Sequence, residues 1–497
     1  MNTDTTAAAF KPNRSAAPAS LSKRMLLGHS GIGLLVGALM YLICISGSIA
    51  VFYPELERWE QPQIPEFQQM APQAIQQGFS QHLAGLARDD YPKKMFITLP
   101  TAELPRAHIS VNGSEYWLDS GGHRLDDVTD GWTAMLTALH INLLLPKNLG
   151  IVIVSLLGVM LVGLTLSGVL AHKRIFKDAF TLRVNAELPK QVDIHNRLSV
   201  WGLPFHLMIG LTGAFFGLVG PFILVAVSLF YEGDQNALIK DVYGHDPVIN
   251  QASQPFYVDR AFDNLATIAP EAQPLYAVVQ QPGGSGQYIE IGALLPQRLI
   301  YSEIYRFNSD GSYIDHQQMG DGPLGRQLAY SIYRIHFGHF GGYGTKLMYL
   351  LLGLALTVIS VTGINIWLQK RNRQDGLDRI WAATVWGAPL ALCASAIAAT
   401  FALPVTLSFL ASYAVAFVVA GCARAAAPNR VNQRFKAATA LALAITAVVH
   451  QWHYRDDTIS AAAINIDLLL LGVSGCWGLW LWHCHRQHRS PQGELAN

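Results

Sequence analysis

Two long apolar stretches of this chain follow the same plan. Residues 29–53 open on His29 and reach Ser46-Gly47; residues 195–221 open on His195 and reach Thr212-Gly213, each landmark displaced by 166 residues. A second correspondence follows: Leu139-His140 precedes an apolar run ending at Ser167-Gly168, and Ile335-His336 precedes one ending at Thr362-Gly363. Residues 25–174 and 191–371 therefore read as two copies of one unit, a span, a long polar loop and a span back. Taken singly, each histidine fits a helix cap or a headgroup position. An imidazole in hydrocarbon is costly unless paired or bound, and a histidine kept in both copies while its neighbours change points to a shared ligand role.

Apolar runs at 25–52, 149–171, 198–231, 345–368, 381–401, 403–423, 437–452 and 461–483 predict eight membrane spans, each near the ~20 residues a bilayer requires. The division around Ala402-Leu403-Pro404 is the least marked. Only 14% of residues are charged, against roughly 25% in soluble domains. A net charge of +1 gives no reason to expect nucleic acid. None of the five cysteines lies in the loops 53–148 and 232–344, so disulfides do not hold those loops.

Basic residues concentrate in the connections 172–197, 369–379 and 424–436. They place these connections in the cytoplasm, together with a disordered N-terminus, 1–24, and a C-terminal tail, 485–497. Loops 53–148 and 232–344 then face the periplasm of a two-membrane bacterium. In the first loop a helical stretch near Ala74–Ala87 precedes strand-like MFITL, AHISV and EYWLDS; in the second, one near Val258–Ile268 precedes LYAVVQQ, QYIEIGA and SEIYRFNSDGSYIDHQ. Asn308-Ser309-Asp310-Gly311 is a hairpin signal. The expected architecture is an all-α polytopic membrane bundle of about eight transmembrane helices, with two small α+β periplasmic domains inserted as an internal duplication. Residues 381–484 add four helices without repeat partners.

LPFHLMIGLTG (203–213), AHKRIFKDAFTLR (171–183), IHFGHFGGYG (335–344) and the Trp367-to-Arg371 span end resemble the PepSY-associated transmembrane proteins, also called iron-regulated membrane proteins, in their longer subgroup with extra C-terminal spans. The resemblance covers about 25–371. It implies PepSY-like loop domains, an inner-membrane location and a part in iron uptake. Some members are similar to ferric-siderophore reductases with two b-type haems. On that implication the chain is an oxidoreductase acting on a ferric siderophore or similar chelate. No flavin or nicotinamide domain is present, so a membrane quinol or a cytoplasmic reductase would supply electrons. Two other readings stay open: a membrane-anchored module whose loop domains bind a periplasmic partner, and a permease for the chelate.

A b-type haem is untethered and needs neutral imidazoles and an apolar slot. Repeat symmetry puts His29 and His195 at the cytoplasmic level and His140 and His336 at the outer level, as axial ligands of two haems. His206, 11 residues after His195 and so about 16 Å along a helix, has Met40 as its repeat counterpart. His206 and His172 are further candidates for cofactor binding, and His339 an alternative to His336. Glycine stripes at 28, 31, 33 and 37 and at 210, 213, 217 and 220 admit either helix packing or a flat ring. GIGLLVG (31–37) lies inside a span and is no nucleotide loop. His450 and His453 with Asp456 and Asp457 read as a short solvated outer loop.

Overall fold

The first unit of the repeat runs α1 (Leu21–Ala50), α2 (Tyr53–Glu60), α3 (Pro72–Leu83), β1 (Lys94–Thr98), β2 (Ala107–Val111), β3 (Ser114–Leu118), β4 (Arg124–Asp127), α4 (Trp132–Asn142) and α5 (Lys147–Ala171). After the short α6 (Ile175–Asp178), the second unit runs α7 (Glu187–Trp201), α8 (Leu203–Phe230), α9 (Gln235–Tyr243), α10 (Val258–Ile268), β5 (Gln273–Gln280), β6 (Tyr288–Leu294), β7 (Glu303–Asn308), β8 (Tyr313–His316), α11 (Leu324–Phe337) and α12 (Gly342–Lys370). Helices α13 (Gly376–Thr400), α14 (Val405–Cys422), α15 (Pro428–His453) and α16 (Ala461–Arg489) complete the chain. This computed structural model describes residues 20–489 except 130, 173, 184–185, 245, 251–253, 424–426 and 458. Most of the expected N-terminal tail and the end of the C-terminal tail lie outside the described residues.

Seven of these helices, α1, α5, α8, α12, α13, α14 and α16, are long and apolar enough to cross a membrane. The eighth expected span, 437–452, falls within α15, whose first turns carry Arg430, Arg434 and Lys436 and which is not among the seven. The expected span 198–231 is also divided. Helix α7 ends at Trp201, and α8 begins beyond Gly202 with Pro204 in its first turn, where the missing N–H would have had no helical partner. His195 therefore lies on its own helix, ahead of the span.

The polar loops share one sheet rather than forming two separate domains. Its order is β4-β3-β2-β1-β5-β6-β7-β8, antiparallel throughout. The first strands of the two units meet at its centre, pairing Phe96 with Val278 and Thr98 with Tyr276. Alternate residues on one face, Met95, Ile97, Ile109, Val279, Ile289, Ile291 and Phe307, meet Ile75 and Phe79 of α3 and Phe262 and Leu265 of α10 in a single core. That alternation is the period-2 signature of a half-buried strand. Each fully buried large side chain contributes about 1.5–3 kcal/mol. The Asn308–Gly311 turn joins β7 to β8, with Gly311 at φ +88°; a Cβ there would stand 2.9 Å from the Ala261 backbone nitrogen.

Buried polar contacts fasten the bundle to the sheet side and to its last four helices. The Lys346 Nζ on α12 donates to Glu55 of α2 at 2.8 and 3.0 Å and lies 3.1 Å from Glu103 in the β1–β2 loop. Asp467 of α16 accepts from Trp59 Nε1 of α2 at 2.9 Å, from His450 Nδ1 at 2.8 Å and from Gln451 Nε2 at 2.5 Å. His450 is 1% exposed, stacks on Trp59 and has its Nε2 2.9 Å from the Trp59 carbonyl. A carbonyl can only accept, so that nitrogen is the donor. His450, expected in a solvated loop, is thus part of a buried clamp, while His453, Asp456 and Asp457 are exposed as expected. Tyr41 on α1 donates to the Val385 carbonyl, and Trp381 donates to Asn365 on α12 at 2.8 Å.

Candidate functional site

Each of the four repeat-matched histidines leans on the small-residue pair of another helix in its own repeat. His29 Nδ1 donates to the Leu164 carbonyl at 3.0 Å and the Ser167 hydroxyl at 3.3 Å, both on α5. On α7, His195 Nδ1 meets Thr362 Oγ1 of α12 at 3.1 Å. His336 of α11 meets Thr212 Oγ1 of α8 at 2.8 Å. His140 of α4 donates from Nδ1 to the Ile43 carbonyl of α1 at 2.9 Å, three residues before Ser46. Thr362 and Thr212 direct their own protons to Val358 and Met208 carbonyls, both 2.8 Å away, so their oxygens accept from the imidazoles. The following glycine clears room for the ring. A Cβ on Gly47 would stand 2.4 Å from His140 Cε1, while the other three glycines lie 3.2–3.5 Å from their rings by the same measure.

With Nδ1 engaged, Nε2 is the nitrogen left for a ligand on all four rings. The rings meet in pairs across the repeat. His29 and His195 have centroids 6.2 Å apart with planes at 90°, and His140 and His336 have centroids 6.3 Å apart with planes at 35°. A metal–imidazole bond of about 2.0 Å, plus about 1.1 Å from nitrogen to ring centre, would set two rings on opposite sides of one metal about 6 Å apart. Both pairs sit at that spacing. Burial first, and then the charge of the facing ring, pushes His195 down to about 4 and His336 to about 3, and burial also lowers His140. These imidazoles are neutral at pH 7, the form that binds a metal.

The two pairs occupy different depths. His29 and the His140-contacting Gly47 are 18 residues apart on α1, about 27 Å along a helix. The first pair lies away from the sheet, and the second lies toward it. His29 and His195 open on a cavity of about 620 Å³ bounded by α1, α5, α7, α8 and α12 and lined mainly by apolar side chains. Its size falls within the ~300–1,000 Å³ usual for cofactor pockets. Phe216 and Phe337 stand edge-on to His336 at 5.3 and 5.4 Å.

The other candidates stand apart. His206 lines the same cavity, 2% exposed, and its Nε2 has no hydrogen-bond partner among the described residues. His172, at the cavity mouth, lies 3.5 Å from Asp178. His339 lies beside Tyr333 and Phe337. Among the described residues, none of the three is ring-paired with another histidine. Much of the third-span glycine stripe serves helix packing: a Cβ at Gly217 would meet the Ile151 carbonyl at 2.5 Å.

Sequence reasoning treated the Ser/Thr-Gly pairs only as landmarks of the repeat and missed Ser167, Thr212, Thr362 and the Ile43 carbonyl as imidazole partners. The available signal was that every matched histidine had a Ser/Thr-Gly pair in its own repeat. Thr362→Val keeps the side-chain shape and removes the acceptor at His195 Nδ1. The expected outcome is a folded protein in which a metal supplied to that pair would be held about 10–100-fold more weakly, read by ligand titration, with the His140–His336 pair unaffected.

The sequence profile of the PepSY-associated TM region matches residues 26–370. An uncharacterized protein of Pseudomonas aeruginosa is 27% identical over 255 residues, covering 48% of this chain and 64% of that relative. The chain thus spans a little under two thirds of that relative's length. The matched region contains both histidine pairs, all four Ser/Thr-Gly seats and the whole sheet: the chain belongs to the PepSY-associated transmembrane family.

Proposed function

We propose that this chain is an inner-membrane reductase that passes electrons through two b-type haems to a ferric chelate, a ferric siderophore in the periplasm. The observation that carries the reading is the pair of histidine pairs at 6.2 and 6.3 Å, one at each depth, each ring oriented through Nδ1. His29 and His195 would hold one haem, and His140 and His336 the other. Bound there, haem iron supplies a one-electron carrier.

The chain's own part is to keep the imidazoles neutral, hold each ring through Nδ1 so that Nε2 stays free for the metal, and exclude water. In this reading α15 also crosses the membrane, giving eight spans. Lys177, Arg183, Lys190, Arg197, Lys370, Arg371, Arg373, Arg379, Arg430, Arg434 and Lys436 then lie on the cytoplasmic side with both termini. The sheet faces the periplasm, and a membrane quinol or a cytoplasmic reductase donates electrons. Reduction releases the metal because hard oxygen ligands hold ferrous iron more weakly than ferric.

The test is anaerobic stopped-flow mixing of the dithionite-reduced, desalted protein with a panel of ferric siderophores and their gallium(III) analogues, which match in charge and size but resist reduction. Reoxidation by ferric and not by gallium complexes is expected. A reduced spectrum that persists through the whole ferric panel rejects the reductase activity.

A further inference from the structure

The cavity beside His29 and His195 has its charged side chains at one end. Its mouth carries Arg174, at the start of α6, and Lys370, the last residue of α12; its lining includes no aspartate or glutamate. Several neighbouring basic residues are neutralised: Arg183 by Asp193, Lys190 by Glu187, Arg371 by Asp375 and Asp378, and Arg373 by Asp375. Among the described residues, neither Arg174 nor Lys370 has a carboxylate partner. His172 at the same mouth already faces Asp178 at 3.5 Å. The deep end carries no charged side chain and is mainly apolar, with Gly37, Met40, Ser360 and His206 on its walls. Two unmatched cations at a wet rim and one imidazole in a dry interior make the rim the cheaper place for two carboxylates.

We propose that Arg174 and Lys370 receive the two carboxylate groups of the macrocycle held between His29 and His195. The cofactor then stands with its acidic edge at the basic mouth and its apolar edge toward Gly37, Met40 and His206. This rests on the haem reading above. It makes the two rim residues positioning residues that set which way an otherwise near-symmetric ring enters. Arginine offers a planar fork and lysine a point charge, so one carboxylate is held in a fixed plane and the other more loosely.

The experiment is a spectrophotometric titration of the full chain, produced under haem limitation, with haem and with haem dimethyl ester, whose carboxylates are blocked. The wild-type chain should take up one of its two equivalents of the ester about tenfold more weakly than haem, the product of two rim contacts worth roughly threefold each. The Arg174→Gln/Lys370→Gln chain should bind haem at that site about tenfold more weakly, discriminate no longer against the ester, and keep the low-spin spectrum that marks an intact histidine pair. Each single variant should show about a threefold loss. Unchanged discrimination in the double variant overturns the proposal, as does its loss in His206→Phe instead, which would turn the carboxylates inward. A wild-type chain that takes up neither haem nor ester fails earlier, and overturns the haem reading together with this one.

Discussion

On the proposed function, His195→Ala should yield a folded protein that takes up one haem where two are expected of the wild type, with about half the low-spin absorbance. A b-type haem has no covalent tether, so losing one of two axial imidazoles removes most of what holds it. His29→Ala should give the same result, and the double variant should be no worse than either single, because in the proposed site both residues would act on one metal. His336→Ala and His140→Ala should remove the other haem, leaving the first in place. His206→Ala and His172→Ala should keep both. The measurement is haem per chain on detergent-purified protein, alongside the visible spectrum. A chain that loses its haem in His206→Ala and keeps it in His29→Ala would show that the 6.2 Å pair is not the ligand set.

The second large effect concerns stability. Asp467→Ala should lower the unfolding temperature by several degrees and release α15 and α16 to protease while the haem content stays at the wild-type ratio. The substitution leaves Trp59 Nε1, His450 Nδ1 and Gln451 Nε2 without their acceptor, and each unsatisfied buried donor costs about 1–3 kcal/mol. Trp59 and His450 are buried and Gln451 is half-buried, so a loss of at least ~2 kcal/mol is expected for the contact that ties α2 to the last two helices. Asp467→Asn keeps one acceptor oxygen and should lose less. An unchanged melting profile in Asp467→Ala would mean that apolar packing around Trp132, Leu392 and Phe409 holds this junction alone.

The four histidines were legible because duplication is a comparison that one sequence makes with itself. His29 and His195 are displaced by the same 166 residues as Ser46-Gly47 and Thr212-Gly213 on their own stretches, so their equivalence needed no structure. What the repeat could not supply was which histidine faces which. Each imidazole is seated within its own repeat, at Ser167, Ile43, Thr362 or Thr212, while each facing pair is formed between repeats. The joined sheet was hidden for a related reason. Strands β1 and β5 each carry an ordinary alternating pattern, and nothing local to Lys94–Thr98 says that its second neighbour lies some 180 residues on.

Other differences trace to single residues. Gly202 and Pro204 interrupt an apolar run that composition alone joins into one span, which moves His195 onto α7. His450 sits near a hydrophilic turn, and its burial depends on Trp59 and Asp467, 391 and 17 residues away. Asp467 lies in an otherwise apolar run, where an intramembrane carboxylate marks a partner to be found. That signal was present in the sequence and pointed to a clamp.

The most direct test of the central claim is the dithionite-reduced minus oxidised visible spectrum of the detergent-purified wild-type chain, grown with haem available, together with its haem-to-protein ratio. The account predicts a low-spin, bis-histidine signal at two haems per chain. A well-folded protein without haem would contradict it, and would leave the eight-stranded sheet as the part of the molecule whose binding partner has to be sought.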